Sequence, residues 1–185
     1  MGKWKISKQF DFCYGHRVYT QTLDGDLSCG MKCKCRSPHG HQGTIIVQLK
    51  GDSLDERGMV IDFNELAWFK KWVDDVLDHK NILCYNDPML PIFYPLIKDI
   101  STIELLSKYL VFENSVYLIK PEFYTSLSIT EQEVYDGLVL VDFVPTSENL
   151  SAWLWKIVND KIGHLCKVSS IQFFETPKSQ SIYYG

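Results

Sequence analysis

The sequence predicts an α+β domain: an antiparallel four-stranded sheet with two helices on one face and a long insertion between those helices. Three observations predict it. The chain opens and closes on period-2 apolar segments, which are strands. Two segments carry apolar residues at helical spacing behind a capping residue. Between them lies a stretch at about 84–143 that holds four of the seven prolines and obeys neither period.

The elements follow in order. Across Lys5–Tyr14, Ile6, Lys8, Phe10 and Phe12 share one face of a strand. Residues 22–38 are turn-rich, with Gly25, Gly30 and three cysteines. Thr44–Lys50 is rich in β-branched residues and predicts a second strand, followed by a polar turn over 51–58. Asp62 stands three residues before Glu65, the spacing of a helix cap with its partner. Phe63, Leu66, Ala67, Val73, Val76 and Leu77 then form an apolar stripe. In the insertion, Ser101–Tyr109 predicts a short helix and Leu138–Phe143 a strand. The second long helix is capped by Thr146 or Ser147. It recurs through Leu150, Trp153, Leu154, Ile157, Val158 and Ile162, and stops at Gly163. Val168–Glu175 and Ser181–Tyr184 close the chain as paired strands around Pro177. The whole of 1–185 reads as one domain with the insertion at about 84–143.

Composition narrows the function. With 45% hydrophobic residues among 185, the chain supports a core. The net charge of −4 carries no like-charge block, which argues against a nucleic-acid partner. No apolar run approaches the ~20 residues that cross a bilayer, so no membrane partner is expected. The first ten residues have no apolar signal segment, and Ile6 breaks a myristoylation motif at Gly2. A cytoplasmic location is therefore expected, where six cysteines point to metal or catalysis rather than disulfides.

His16 ends the first strand, and His39 and His41 form a His-x-His pair. In an extended segment both imidazoles of that pair share a face. A third from a neighbouring strand makes a three-histidine set with an open position, the pattern of catalytic zinc at ~2.0–2.1 Å. Three unrelated histidines are the alternative. A structural site from Cys33, Cys35, His39 and His41 is also conceivable, although its spacing is not that of zinc modules. A thiol beside a metal would otherwise serve as base or nucleophile. Cys33 and Cys35 would share a face if their segment is extended. Cys13, Cys84 and Cys166 read as small buried hydrophobes. Asp78-His79 is an acid/base candidate, Glu175 a candidate anchor for a planar N–H donor ligand, and His164 a surface residue.

These residues fall in one order. Phe12-Cys13-Tyr14-Gly15-His16-Arg17, Cys35-x3-His39-Gly40-His41, Gly58-Met59-Val60-Ile61-Asp62-Phe63, Leu77-Asp78-His79, Pro145-Thr146-Ser147-Glu148-Asn149 and Glu175-Thr176 resemble the motifs of the 6-pyruvoyltetrahydropterin synthase / 6-carboxytetrahydropterin synthase family. The resemblance covers 1–83 and 141–185, and the intervening segment has no counterpart in compact members. Gly15 stands where the family usually has Ala. Gly-His-Arg-Val at 15–18 and Glu-Thr-Pro-Lys-Ser-Gln-Ser at 175–181 look like the longer, bacteriophage-encoded branch.

The resemblance implies the tunnelling fold, whose sheets close into a β-barrel as a trimer and stack into a homohexamer (a dimer of trimers) with active sites between subunits. It implies Zn2+ held by His16, His39 and His41. Glu175 would anchor the pterin, with Thr146 and Ser147 nearby. Cys35 would be the base, and Asp78 with His79 a second acid/base pair. The implied enzyme is a carbon–carbon lyase. It would convert 7,8-dihydroneopterin triphosphate to 6-carboxy-5,6,7,8-tetrahydropterin with loss of acetaldehyde and triphosphate, in queuosine or 7-deazaguanine biosynthesis. The alternative is the pyruvoyl-forming synthase, which eliminates triphosphate alone. Cys35 fits the carboxy-type C-x3-HGH spacing and Cys33 the pyruvoyl-type C-x5-HGH spacing, while Asp78-His79-Lys80-Asn81 looks like the pyruvoyl type. A non-catalytic zinc-stabilised binding protein is the reading from a different class.

Overall fold

A computed structural model describes residues 3–21, 33–97, 107, 109–113 and 116–185. Two compact units divide the chain. One comprises Met1–Cys13, His41–Asp78 and Thr146–Gly185, and the other Tyr14–Gly40 and His79–Pro145.

The first unit carries the expected sheet. Strands β1 (Trp4–His16) and β2 (His39–Gly51) each have one end here, with β7 (Lys167–Thr176) and β8 (Ser179–Tyr184) complete, in the order β1-β2-β7-β8. β2 and β7 pair antiparallel from Thr44 opposite Phe174 to Lys50 opposite Lys167, with a register shift between Gln48 and Leu49. β7 and β8 pair antiparallel around the turn at Pro177. Alternation puts Phe10, Phe12, Ile45, Val47, Leu49, Ile171 and Phe173 into the core. Two helices cover them. A 3₁₀ turn, Phe63–Leu66, leads into α1 (Ala67–Val76), and Asp62 caps the turn by accepting from the Asn64 N–H at 2.8 Å. α5 (Ser147–Ile162) is capped by Thr146 and ends at Gly163, as expected. All six stripe residues named for it are buried. Phe10 meets Phe69 edge-on at 5.0 Å, and Trp72 of α1 meets Trp153 of α5 at 5.6 Å.

The second unit differs from expectation. β3 (Lys80–Cys84) runs parallel to the end of β1, pairing Gly15 with Asn81, and parallel to β6 (Leu138–Val141), pairing Asn81 with Leu138. β4 (Leu110–Glu113) and β5 (Val116–Ile119) are an antiparallel pair, and β5 meets β6 antiparallel at Tyr117 and Leu140. So 84–143 supplies strands of its own, where the reading had a purely antiparallel sheet. β3 was not expected; β6 was, and all four of its residues are buried. Strands covered on both faces lose the alternation that marks them in a sequence. Short helices α2 (Leu90–Phe93), α3 (Pro121–Tyr124) and α4 (Ile129–Asp136) connect these strands. Leu83, Leu90, Tyr94, Ile97, Leu110, Leu127, Tyr135, Leu138 and Leu140 form their core. The helix expected at Ser101–Tyr109, and most of the turn-rich 22–38 with Cys29, lie outside the described residues.

Candidate metal centre and active site

The end of β1 and the start of β2 position three imidazoles. His16 is 2% exposed. His39 and His41, two residues apart on β2, are directed alike by strand alternation. The ligand nitrogens of His16, His39 and His41 all lie within 4.8 Å of one another, so the cluster can hold a metal ion. The main chain sets the tautomers. His16 Nδ1 lies 2.7 Å from the Pro145 carbonyl, and His39 Nδ1 lies 2.8 Å from the Ser37 carbonyl. A carbonyl only accepts, so in each case Nδ1 donates. The two Nε2 atoms lie 3.1 Å apart, an approach that a hydrogen on one of them or a cation bound to both would satisfy.

Glu175, near the end of β7, brings Oε1 within 3.7 Å of His41 Nε2, and both side chains are mostly buried. Asp78 follows α1, and its Oδ1 accepts from the Cys13 N–H at 2.8 Å, which ties this carboxylate to β1. His79 has φ +60°, a left-handed backbone for a non-glycine residue, at a cost of roughly 1–3 kcal/mol. Such strain recurs at functional sites. Thr146 and Ser147 open α5. Thr146 Oγ1 accepts from the Asn149 N–H at 3.4 Å, and the Ser147 carbonyl accepts from Ser181 Oγ at 2.6 Å.

One condition on the cysteines is not met, and one expectation changes. The Cys33–His39 segment is not extended: Lys34–Arg36 forms a 3₁₀ turn with Cys33 as its cap, and the Cys35 carbonyl accepts from the Val18 N–H at 2.8 Å. Successive side chains in such a turn are about 120° apart, so Cys33 and Cys35 do not share a face. Cys13 is exposed rather than buried, because Phe12 and Tyr14 take the inward positions of β1. Cys84 and Cys166 are buried as expected, and burial pushes both thiols up from their ordinary range. His164 is exposed, as expected. Cys35, Asp78, His79, Thr146 and Ser147 lie outside the three-histidine cluster.

Sequence reasoning missed a cavity of about 410 Å³ in the second unit, bordered by His16, Pro38, Asn81, Leu83, Phe93, Tyr94, Glu133, Val134 and Gly137. It also missed a buried ion pair. Arg17 Nε stands 3.2 Å from Asp87 Oδ2, with both side chains almost wholly buried. Asp87 Oδ1 accepts from the Met89 N–H at 2.9 Å. The signal was available in Asn86-Asp87-Pro88, an Asx-Pro turn directly after a buried strand.

An α+β sheet backed by two helices, with three histidines gathered where two adjacent strands meet, defines a class of protein whose site can hold a metal ion. Within that class the chain belongs to the 6-pyruvoyl tetrahydropterin synthase family, whose profile matches residues 5–185. It is 28% identical over 191 residues to a 6-carboxy-5,6,7,8-tetrahydropterin synthase of Aquifex aeolicus, with 98% of each chain covered. That alignment runs through the insertion. Among solved structures, an uncharacterized protein of Wolinella succinogenes is 43% identical, with a TM-score of 0.87 and 98% of each chain covered. The Caenorhabditis elegans 6-pyruvoyl tetrahydropterin synthase shares the fold, at 20% identity, TM-score 0.56, and 98% and 95% coverage of this chain and that one. No helix among the described residues is long and apolar enough to cross a membrane.

Proposed function

We propose that the chain is a zinc-dependent 6-carboxy-5,6,7,8-tetrahydropterin synthase, which takes 7,8-dihydroneopterin triphosphate and releases acetaldehyde and triphosphate. The observation that carries the reading is the three-histidine cluster, whose ligand nitrogens all lie within 4.8 Å of one another. The donor set suits zinc: three imidazoles, two of them oriented by backbone carbonyls, with no cysteine in the cluster among the described residues. His16, His39 and His41 would hold the ion. When bound, it would act as a Lewis acid on the side-chain hydroxyls of the substrate.

The remaining roles belong to the chain. Glu175, already beside His41, would accept from the pterin's amino-pyrimidine N–H groups, and Thr146 and Ser147 at the start of α5 would be further binding residues. Cys35 would take a proton from the substrate side chain, and His79, backed by Asp78, would carry protons on its other side. The full-length match to the Aquifex enzyme of that name favours the carboxy-forming product. A place in queuosine or 7-deazaguanine synthesis, a cytoplasmic location and a homohexamer with sites between subunits belong to the same reading.

Incubation of the zinc-loaded protein with 7,8-dihydroneopterin triphosphate tests it, with products identified by mass spectrometry. The carboxy product with acetaldehyde is expected. A 6-pyruvoyl product would move the base to Cys33 and assign the pyruvoyl-forming reaction. No turnover at one equivalent of zinc would leave a zinc-stabilised binding protein. Light scattering that finds a monomer at micromolar concentration would remove the hexamer.

A further inference from the structure

The cavity of the second unit is lined by His16, Pro38 and Asn81 together with the insertion residues Phe93, Tyr94, Glu133, Val134 and Gly137. Three neighbours fix Asn81. Its N–H donates to the Gly137 carbonyl at 2.7 Å. Its side chain neighbours the hydroxyl of Tyr94, an insertion residue that borders the same cavity. Its Oδ1 fills the space over Gly15, directly across the β1–β3 pairing, where any Cβ would collide with it. Glycine at 15 leaves room for this side-chain position. Tyr94 is itself immobilised. It is 5% exposed, packs edge-on to Tyr135 at 5.4 Å, and its N–H donates to the Leu90 carbonyl at 2.8 Å. Tyr135 in turn accepts from the Leu96 N–H at 2.9 Å.

A primary amide has two N–H donors and a carbonyl oxygen. Asn81 can therefore serve a ligand group that both donates and accepts, which a hydroxyl does. Glu133 adds a second acceptor to the same cavity. The volume lies in the range of small-molecule sites.

We propose that Asn81 contacts the hydroxylated C6 side chain of the pterin substrate, and that Tyr94 is a positioning residue through which the insertion sets specificity. The inference rests on the reading of the site as a pterin synthase. It gives the insertion a role at the pocket rather than on a remote surface.

The test is equilibrium binding to the zinc-loaded protein of two ligands, 7,8-dihydroneopterin triphosphate and 7,8-dihydropterin, which lacks the side chain. Asn81→Ala should weaken the first by about tenfold and leave the second within about twofold. Tyr94→Phe should act in the same direction and less strongly. The double variant should bind no more weakly than Asn81→Ala alone, because Tyr94 acts through Asn81. Asn81→Ser serves where the alanine variant folds poorly, with zinc stoichiometry as the check on the site. Unchanged binding, equal loss for both ligands, or additive losses in the double variant would each overturn the inference while leaving the pterin reading standing. A wild-type protein that binds neither pterin would overturn both.

Discussion

The two units of the chain are held together by different means. In the first, long strands and two amphipathic helices bury aliphatic and aromatic side chains by simple alternation, from Phe10 and Phe12 to Ile171 and Phe173. In the second, the strands β3 to β6 are four or five residues long, and the core mixes leucines with the tyrosines Tyr94 and Tyr135. It also contains the buried Arg17–Asp87 pair. The difference teaches where stability resides: in the first unit it is spread over area removed from water, and in the second it depends on a few polar groups whose partners cannot be lost.

The largest effect should therefore come from the second unit. Asp87→Ala leaves the Arg17 guanidinium buried without its carboxylate, and the loss should be about 3–5 kcal/mol in chemical denaturation. A loss below about 1 kcal/mol would break the comparison, since the polar pair would then be incidental. In the first unit, Leu154→Ala on α5, fully buried, should cost about 2–5 kcal/mol with no new unpaired polar group. Because that loss is apolar, refilling the space with Leu154→Met should restore most of it, whereas Asp87→Leu should not rescue Asp87→Ala unless Arg17 is replaced as well.

A smaller effect sharpens the contrast at α4. Ser128 caps this helix and Glu131 reaches back to it, with the Ser128 hydroxyl donating to Glu131 Oε2 at 2.6 Å and the Ser128 N–H at 2.8 Å. Ser128→Ala should lower local stability by about 1 kcal/mol, read as faster amide exchange in 129–136. The hydroxyl first, and the N–H after it, hold the Glu131 carboxyl below its usual range. A depressed folded-state value means that this contribution is present above the ordinary glutamate range and lost as pH falls through the folded value. Amide protection in α4 should thus decline on acidification in the wild type and much less in the variant.

The smallest effect is chemical. Burial raises the Cys84 and Cys166 thiols, which lowers their thiolate fraction near neutral pH. Both should resist iodoacetamide while exposed Cys13 reacts. Peptide mapping after brief labelling checks the order.

What the sequence made legible follows the same division. α5 was readable because Thr146, Gly163 and six apolar residues agree on one helix. β1 and β2 were readable by alternation, with His16 at the end of β1 as expected and β2 starting earlier than Thr44, at His39. Those two strand ends bring the three histidines together. β3 was hidden because Ile82, Leu83 and Cys84 are all buried, and a continuous apolar run has no period to detect. The 3₁₀ turn at Lys34–Arg36 falls within 22–38, the stretch read as turn-rich. At the site, the histidine set and its order along the chain were visible, as was the Glu175 candidate. The coupling of Gly15 to Asn81 and Tyr94 was not, because it joins three segments distant in sequence through one close approach.

The bonds that orient His16 and His39 come from the carbonyls of Pro145 and Ser37. A carbonyl belongs to the polypeptide at every position, whatever side chain stands there. No single-codon change at 37 or 145 can delete these acceptors; only a displaced backbone can. Such a site is buffered against mutational drift at its supporting positions, and selection on it falls on the three imidazoles and on the path of the chain rather than on the identity of the residues behind them.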